Sequence, residues 1–252
     1  MSLVIDRVGK WLGGVCVLDN VSMRVPDGGL IGLIGPNGAG KSTLFAVVSG
    51  FEAPESGTVQ FADRPLTGLA PQARARFGLM RTFQVPRPFG KLTVVENMMA
   101  AAPSRKGETV WAAFFGGAAA RREQDEIRAH AEEVITFLGL GAVRDNRASD
   151  LSGGQRKLLE LGRVLMASPK MILLDEPFAG VNPVLQEDIS ERIRDLNARG
   201  IGFLIVEHNL AALSRLVGRL YALDRGRILA EGTPAEVLAE PAVRAAYTGD
   251  AP

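Results

Sequence analysis

The stretch Leu30-Ile31-Gly32-Leu33-Ile34-Gly35-Pro36-Asn37-Gly38-Ala39-Gly40-Lys41-Ser42-Thr43 reads as a buried strand that runs into a glycine loop and then a helix. Leu30–Ile34 is apolar apart from Gly32, the pattern of a strand covered on both faces of a parallel sheet. The loop fits G-x-x-x-x-G-K-[ST], and the strand before it and the helix after it give that motif its meaning. Gly35, Gly38 and Gly40 let the backbone curl until successive N–H groups point inward at an anion. The helix N-terminus adds its positive pole. Lys41 is then within reach of β- and γ-phosphates, and the Ser42 hydroxyl is placed to ligate Mg²⁺.

A second loop, Leu151-Ser152-Gly153-Gly154-Gln155, offers another anion cradle. It opens a helix expected over 156–166, with Ser152 available as its cap. Twenty-four positions separate Leu151 from Asp175, which follows the apolar run Met171-Ile172-Leu173-Leu174. Asp175 and Glu176 therefore emerge at the carboxyl edge of the sheet, where ligands bind in such folds. Asp175 is suited to hold Mg²⁺, and Glu176 to polarise a water as general base. Gln84 ends a strand expected over 79–83 and can ligate Mg²⁺ or touch the attacking water. His208, just past the apolar run 202–206, can contact a γ-phosphate. One bound nucleotide needs one cradle, so two different cradles in a chain imply a nucleotide clamped between two copies.

Around these motifs, short strands are expected over 3–6, 21–25 and 58–61, and a helix over 41–49 ended by Gly50. Residues 118–138 place Ile127, Ala131, Val134, Ile135 and Leu138 on one stripe, the mark of an amphipathic helix. Strand–helix alternation resumes at 171–174, 184–198, 202–206 and 209–217. It ends in a hairpin through Asp224-Arg225-Gly226. The fold expected is α/β, with a mostly parallel sheet. Residues 1–85 and 168–252 form its catalytic core, and 86–167 a helical insertion.

The 252 residues carry 29 Lys plus Arg against 28 Asp plus Glu, so no global field favours nucleic acid or anionic lipid. The single cysteine, Cys16, excludes an internal disulfide and reads as a small packed hydrophobe. Residues 1–10 lack the apolar stretch of a signal peptide. The uncharged patch 110–120 is well short of the roughly 20 residues a spanning helix needs. The expectation is a cytoplasmic protein that works at a membrane through a partner.

In this order the motifs resemble the nucleotide-binding domain of ATP-binding-cassette (ABC) transporters, across essentially the whole chain. Gly35–Thr43 is similar to the Walker A loop, Gln84 to the Q-loop and Leu151–Gln155 to the signature motif. Residues 171–176 are similar to Walker B, Ala179-Gly180-Val181-Asn182-Pro183 to the D-loop and His208 to the switch histidine. The resemblance implies an ATPase using ATP and Mg²⁺. It also implies a head-to-tail dimer, with a second identical or paralogous subunit, in which each ATP lies between one Walker A loop and the other copy's signature loop.

Finer features resemble the importer subgroup for branched-chain amino acids, other amino acids, amides and urea. They are Arg81-Thr82-Phe83-Gln84, residues 89–97, Arg121-Arg122-Glu123, the loop 179–183, Glu231-Gly232-Thr233-Pro234-Ala235-Glu236 and residues 241–247. That subgroup implies transmembrane permease subunits, with this chain peripheral on the inner face of the cell membrane, and, indirectly, a periplasmic substrate-binding protein. Two features depart from it. Leu12 stands where the subgroup carries an aromatic that stacks on adenine; either neighbouring Trp11 stacks from a shifted register, or an aliphatic face replaces the ring. The signature loop also has the general Ser-Gly-Gly-Gln form rather than a subgroup variant. An exporter or lipid-extracting ATPase is the rival reading, and a soluble ATPase acting on nucleic acid a more distant one.

Overall fold

The computed structural model describes residues 1–82, 88–103 and 117–248. It divides into two compact units, Met1–Gln84 with Lys170–Pro252, and Val85–Pro169.

The first unit holds two sheets. Strands β1 (Leu3–Leu12), β2 (Val15–Val25), β4 (Ser56–Phe61) and β5 (Arg64–Pro65) form an antiparallel sheet in the order β2-β1-β4-β5. The other sheet contains β3 (Leu30–Ile34), β6 (Leu79–Arg81), β7 (Met171–Asp175), β8 (Gly202–Val206), β9 (Arg219–Asp224) and β10 (Arg227–Gly232). Its order is β10-β9-β3-β8-β7-β6. Every pairing in it is parallel except the β9–β10 hairpin. The carboxyl ends of β3, β7 and β8 thus share one edge, as open parallel sheets require of a ligand site. Leu3, Val8 and Val59 from one sheet and Leu33, Leu173 and Leu204 from the other belong to one buried core, with Leu44 and Phe45 of the Lys41–Ser49 helix.

The β1–β2 hairpin is longer than the sequence patterning predicts. Register shifts interrupt β1 between Ile5 and Trp11, and Arg7 and Asn20 take positive φ. Such bulges break the period-two alternation that marks a strand in sequence. Lys10, within β1 but beyond the strand expected over 3–6, is buried, with Nζ donating to the Ala53 carbonyl at 2.8 Å and to Glu55 at 3.1 Å. Phe83, the last residue of the strand expected over 79–83, lies outside the described residues, as does Gln84; β6 as described ends at Arg81.

The Lys41–Ser49 helix is closed by a buried arginine. Arg74 is 2% exposed, and its Nη1 donates to the Val47 and Val48 carbonyls, each at 2.7 Å, while Nε donates to the Leu69 carbonyl at 3.0 Å. A guanidinium at a helix C-terminus meets last-turn carbonyls, here Val48 and also Val47, which accepts from Gly50 N–H as well, and the negative pole, and burial holds its pKa below the usual value. Arg74→Met keeps the stem and removes the donors, stranding the Val48 and Leu69 carbonyls at about 1–3 kcal/mol each while Val47 keeps the Gly50 N–H. Thermal denaturation should report a Tm lower by about 5–15 °C. A change under about 1 °C would show that the cap contributes nothing.

The described residues of the second unit build helices. The Val94–Ala101 helix starts in a capping box: Glu96 N–H donates to Thr93 Oγ1 at 3.2 Å, and Thr93 N–H to Glu96 Oε2 at 2.7 Å. The Gly117–Phe137 helix turns Ala131, Val134 and Ile135 into the core, with Leu138 just beyond its end. Leu158, Leu159 and Leu161 of the Gly153–Leu165 helix are likewise buried. Asn97, fully buried, accepts from Phe89 N–H at 2.8 Å and donates to the carbonyls of Phe89, Leu92 and Thr93. That clamp fixes the loop ahead of the Val94–Ala101 helix and leaves Phe89 exposed.

Candidate nucleotide site

At the end of β3 the chain makes the turn its glycines permit. Gly35, Gly38 and Gly40 have φ of 156°, 81° and 105°. A Cβ at Gly38 would meet no heavy atom within 4 Å, so this position faces open space. Lys41 is nearly buried; its Nζ donates to the carbonyls of Gly35 at 2.7 Å and Pro36 at 2.9 Å. Burial lowers the Lys41 pKa, and the nearby carboxylates of Glu176 and Asp175 oppose that shift. The ammonium is therefore held over the loop by weak acceptors, and phosphate oxygens would be stronger ones. Pro36 is half-buried, Asn37 and Ser42 are exposed, Ala39 is buried and Thr43 half-buried.

β7 delivers the two acids. Asp175 is 7% exposed, and its Oδ2 accepts from Arg81 Nη2 at 2.9 Å. Its N–H donates to Thr82 Oγ1 at 3.3 Å. Arg81 also lies over the Phe45 ring, 5.6 Å from its centroid. Glu176 has a positive φ of 50°, rare for a residue with a side chain, while its N–H donates to the Val206 carbonyl at 2.9 Å. Strain of this kind concentrates at functional sites. The turn brings Glu176 Oε1 to 2.9 Å from His208 Nε2, so the two residues read separately from sequence form one pair. An ionised carboxylate only accepts, so Nε2 carries the proton between them.

Glu207 does work the sequence does not advertise. Its buried carboxylate accepts from Phe178 N–H at 2.5 Å and from His208 N–H at 3.0 Å, tying together the turns after β7 and β8. Arg81 is the other residue missed. Its pairing with Asp175 joins β6 to β7, and no spacing rule links positions 94 apart in sequence.

At the hairpin tip Trp11 is 54% and Leu12 42% exposed. Strand alternation sends the two side chains to opposite faces, so only one can address a given ligand.

Ser152, Gly153, Gly154 and Gln155 lie in the second unit. The helix starts at Gly153, three residues earlier than expected, because Ser152 and Gln155 close a capping box. Gln155 N–H donates to Ser152 Oγ at 3.2 Å, and Ser152 N–H to Gln155 Oε1 at 2.9 Å. Ser152 and Gly153 are exposed, and a Cβ at Gly153 would meet no heavy atom within 4 Å. Among the described residues no cluster of His, Cys, Asp or Glu makes a self-sufficient metal site. One buried carboxylate, Asp175, and the exposed Ser42 hydroxyl suit Mg²⁺ that arrives with substrate phosphates, since this ion keeps few protein ligands.

The chain is similar to known proteins along nearly all of its length. Residues 18–179 match the family model of the ABC transporter, and residues 227–252 that of the branched-chain amino acid ATP-binding cassette transporter. The probable branched-chain amino acid transport ATP-binding protein LivG of Archaeoglobus fulgidus is 38% identical over 244 residues, 97% of this chain and 94% of the relative. The lipopolysaccharide export system ATP-binding protein LptB of Acidithiobacillus ferridurans is also 38% identical, over 93% of this chain and 91% of the relative. A crystal structure of the ADP conformation of an ATP-binding cassette of an ABC transporter superposes with a TM-score of 0.86. It is 38% identical and covers 99% of this chain and 100% of its own. The chain belongs to the ABC transporter family, as an ATP-binding cassette with the ATPase chemistry of that family.

Proposed function

We propose that this cassette drives an importer for branched-chain or other hydrophobic amino acids or related amides. The observation that carries the cargo class is the match of residues 227–252 to the branched-chain cassette model, on top of the LivG relatives. The 38% identity to the lipopolysaccharide export ATPase supports the second reading, export or lipid extraction.

In this proposal Gly35–Thr43 wraps the phosphates, and Lys41 exchanges its loop carbonyls for phosphate oxygens. Ser42 and Asp175 hold Mg²⁺, with Gln84 as a further ligand. Bound Mg²⁺ would offset phosphate charge as it builds up. Glu176 takes the proton from the attacking water, and His208 orients Glu176 and the γ-phosphate end of the site. Trp11 supplies the face on which adenine stacks. Ser152–Gln155 of a second copy, identical or paralogous, closes the site, so that ATP drives dimerisation and hydrolysis releases it. Permease subunits carry that motion across the membrane, and a periplasmic binding protein delivers the cargo to them. The cassette itself would sit on the cytoplasmic face. Among the described residues no helix is long and apolar enough to cross a membrane.

Uptake tests the reading. Cells of the source organism lacking this chain should lose uptake of labelled leucine, isoleucine and valine. The native chain should restore uptake, and Lys41→Ala should not. Unchanged uptake of amino acids, amides and urea, together with altered outer-membrane lipid, would overturn import in favour of export.

A further inference from the structure

The last described helix, Pro241–Thr248, reaches back to the phosphate loop. Gly35 lies one residue past the last paired position of β3, Ile34 opposite Ala222. Its N–H, beyond the ladder, donates to the Tyr247 hydroxyl at 2.8 Å. On the other side of the same Cα, the Gly35 carbonyl accepts from Lys41 Nζ at 2.7 Å. The two rigid peptide planes that meet at Gly35 are therefore each pinned, one by Tyr247 and one by Lys41.

The pins differ in what happens to them. Lys41 must leave its carbonyls to meet a phosphate; Tyr247 has no reason to leave. Gly35 is the residue with the most backbone freedom to regain when a pin is lost. The helix is well anchored for such a task. Val243 and, in the preceding Pro234–Ala239 helix, Val237 are buried, and Arg244 Nε donates to the Leu238 carbonyl at 3.0 Å.

We infer that Tyr247 is a positioning residue for nucleotide binding: the helix latches the Gly35 peptide and holds the loop in shape while Lys41 changes partners. The inference rests on the assignment of Gly35–Thr43 as the nucleotide loop.

Tyr247→Phe in the full chain removes the hydroxyl and keeps the ring. It should weaken binding of a fluorescent ATP analogue about three- to tenfold, the size of one net hydrogen bond. Hydrogen exchange without nucleotide should rise in peptides covering 35–43 and stay native in those covering 234–246. Native affinity with native exchange at 35–43 would overturn the latch. Loss of protection confined to the tail would also overturn it, showing a helix that merely docks. Lys41→Ala separates the two levels. If the native chain bound no analogue, or Lys41→Ala bound as tightly as native, the nucleotide-loop assignment would fail, while the exchange comparison would still decide the latch.

Discussion

Glu176→Gln is expected to lower steady-state phosphate release by about 10²–10⁴-fold, the range that a positioned general base contributes. Nucleotide binding should survive, because the substitution spares the loop, Lys41 and Asp175. The geometry makes this a clean experiment. Glu176 meets His208 Nε2 through Oε1 at 2.9 Å, and a carboxamide oxygen can accept the same bond. The positive φ of 50° is imposed by the turn, whose N–H bond to the Val206 carbonyl does not involve the side chain. Glutamine therefore inherits the strain without adding to it, and Tm should stay near native. With binding intact and release blocked, ATP should accumulate dimers on size-exclusion chromatography. Turnover within about threefold of native would remove Glu176 as the base and leave His208 and Gln84 as candidates.

The parts of this site that are legible in sequence are those governed by local rules. Leu30–Ile34 and Gly202–Val206 appear at the bounds their apolar runs predict, because a strand buried on both faces has no polar interruption to confuse it. The Lys41–Ser49 helix ends at Gly50, which adopts the left-handed conformation that stops helices. What escapes is what depends on partners distant in sequence. Lys10 looks like a strand interruption until Glu55 and the Ala53 carbonyl are placed around it. Arg74 looks like a surface cation on a short polar helix until the carbonyls of Val47 and Val48 surround it. Glu207 stands beside the more conspicuous His208, and its partners are backbone N–H groups, which carry no sequence signature. The Arg81–Asp175 pair escapes for the same reason: a salt bridge across adjacent parallel strands obeys the register of β6 and β7, not any spacing along the chain.

Gly35→Ala should damage the protein twice over, and comparison with Gly38→Ala shows why. A Cβ at Gly35 would fall 2.1 Å from the Leu223 carbonyl oxygen and 3.2 Å from Ala39 Cβ, and the first of these is backbone of β9 that cannot swing aside. Either the strand pair yields, and stability falls, or the loop lifts and takes with it the acceptors of Lys41 and the N–H given to Tyr247. Affinity for an ATP analogue should drop by at least about 100-fold, or about 2.7 kcal/mol, with Tm lowered as well. At Gly38 a Cβ meets nothing within 4 Å, so Gly38→Ala costs only the positive φ of 81°, about 1–2 kcal/mol. Yet Gly38 belongs to the loop proposed to wrap phosphate, where a methyl group should weaken binding as severely while Tm falls far less. Calorimetric titration of both variants, with thermal melts in parallel, reads the two effects apart. If Gly38→Ala bound nucleotide as tightly as native, the loop at Gly38 would not be where the phosphates sit. If Gly35→Ala kept both its affinity and its melting point, the wedge against Leu223 would have no energetic consequence.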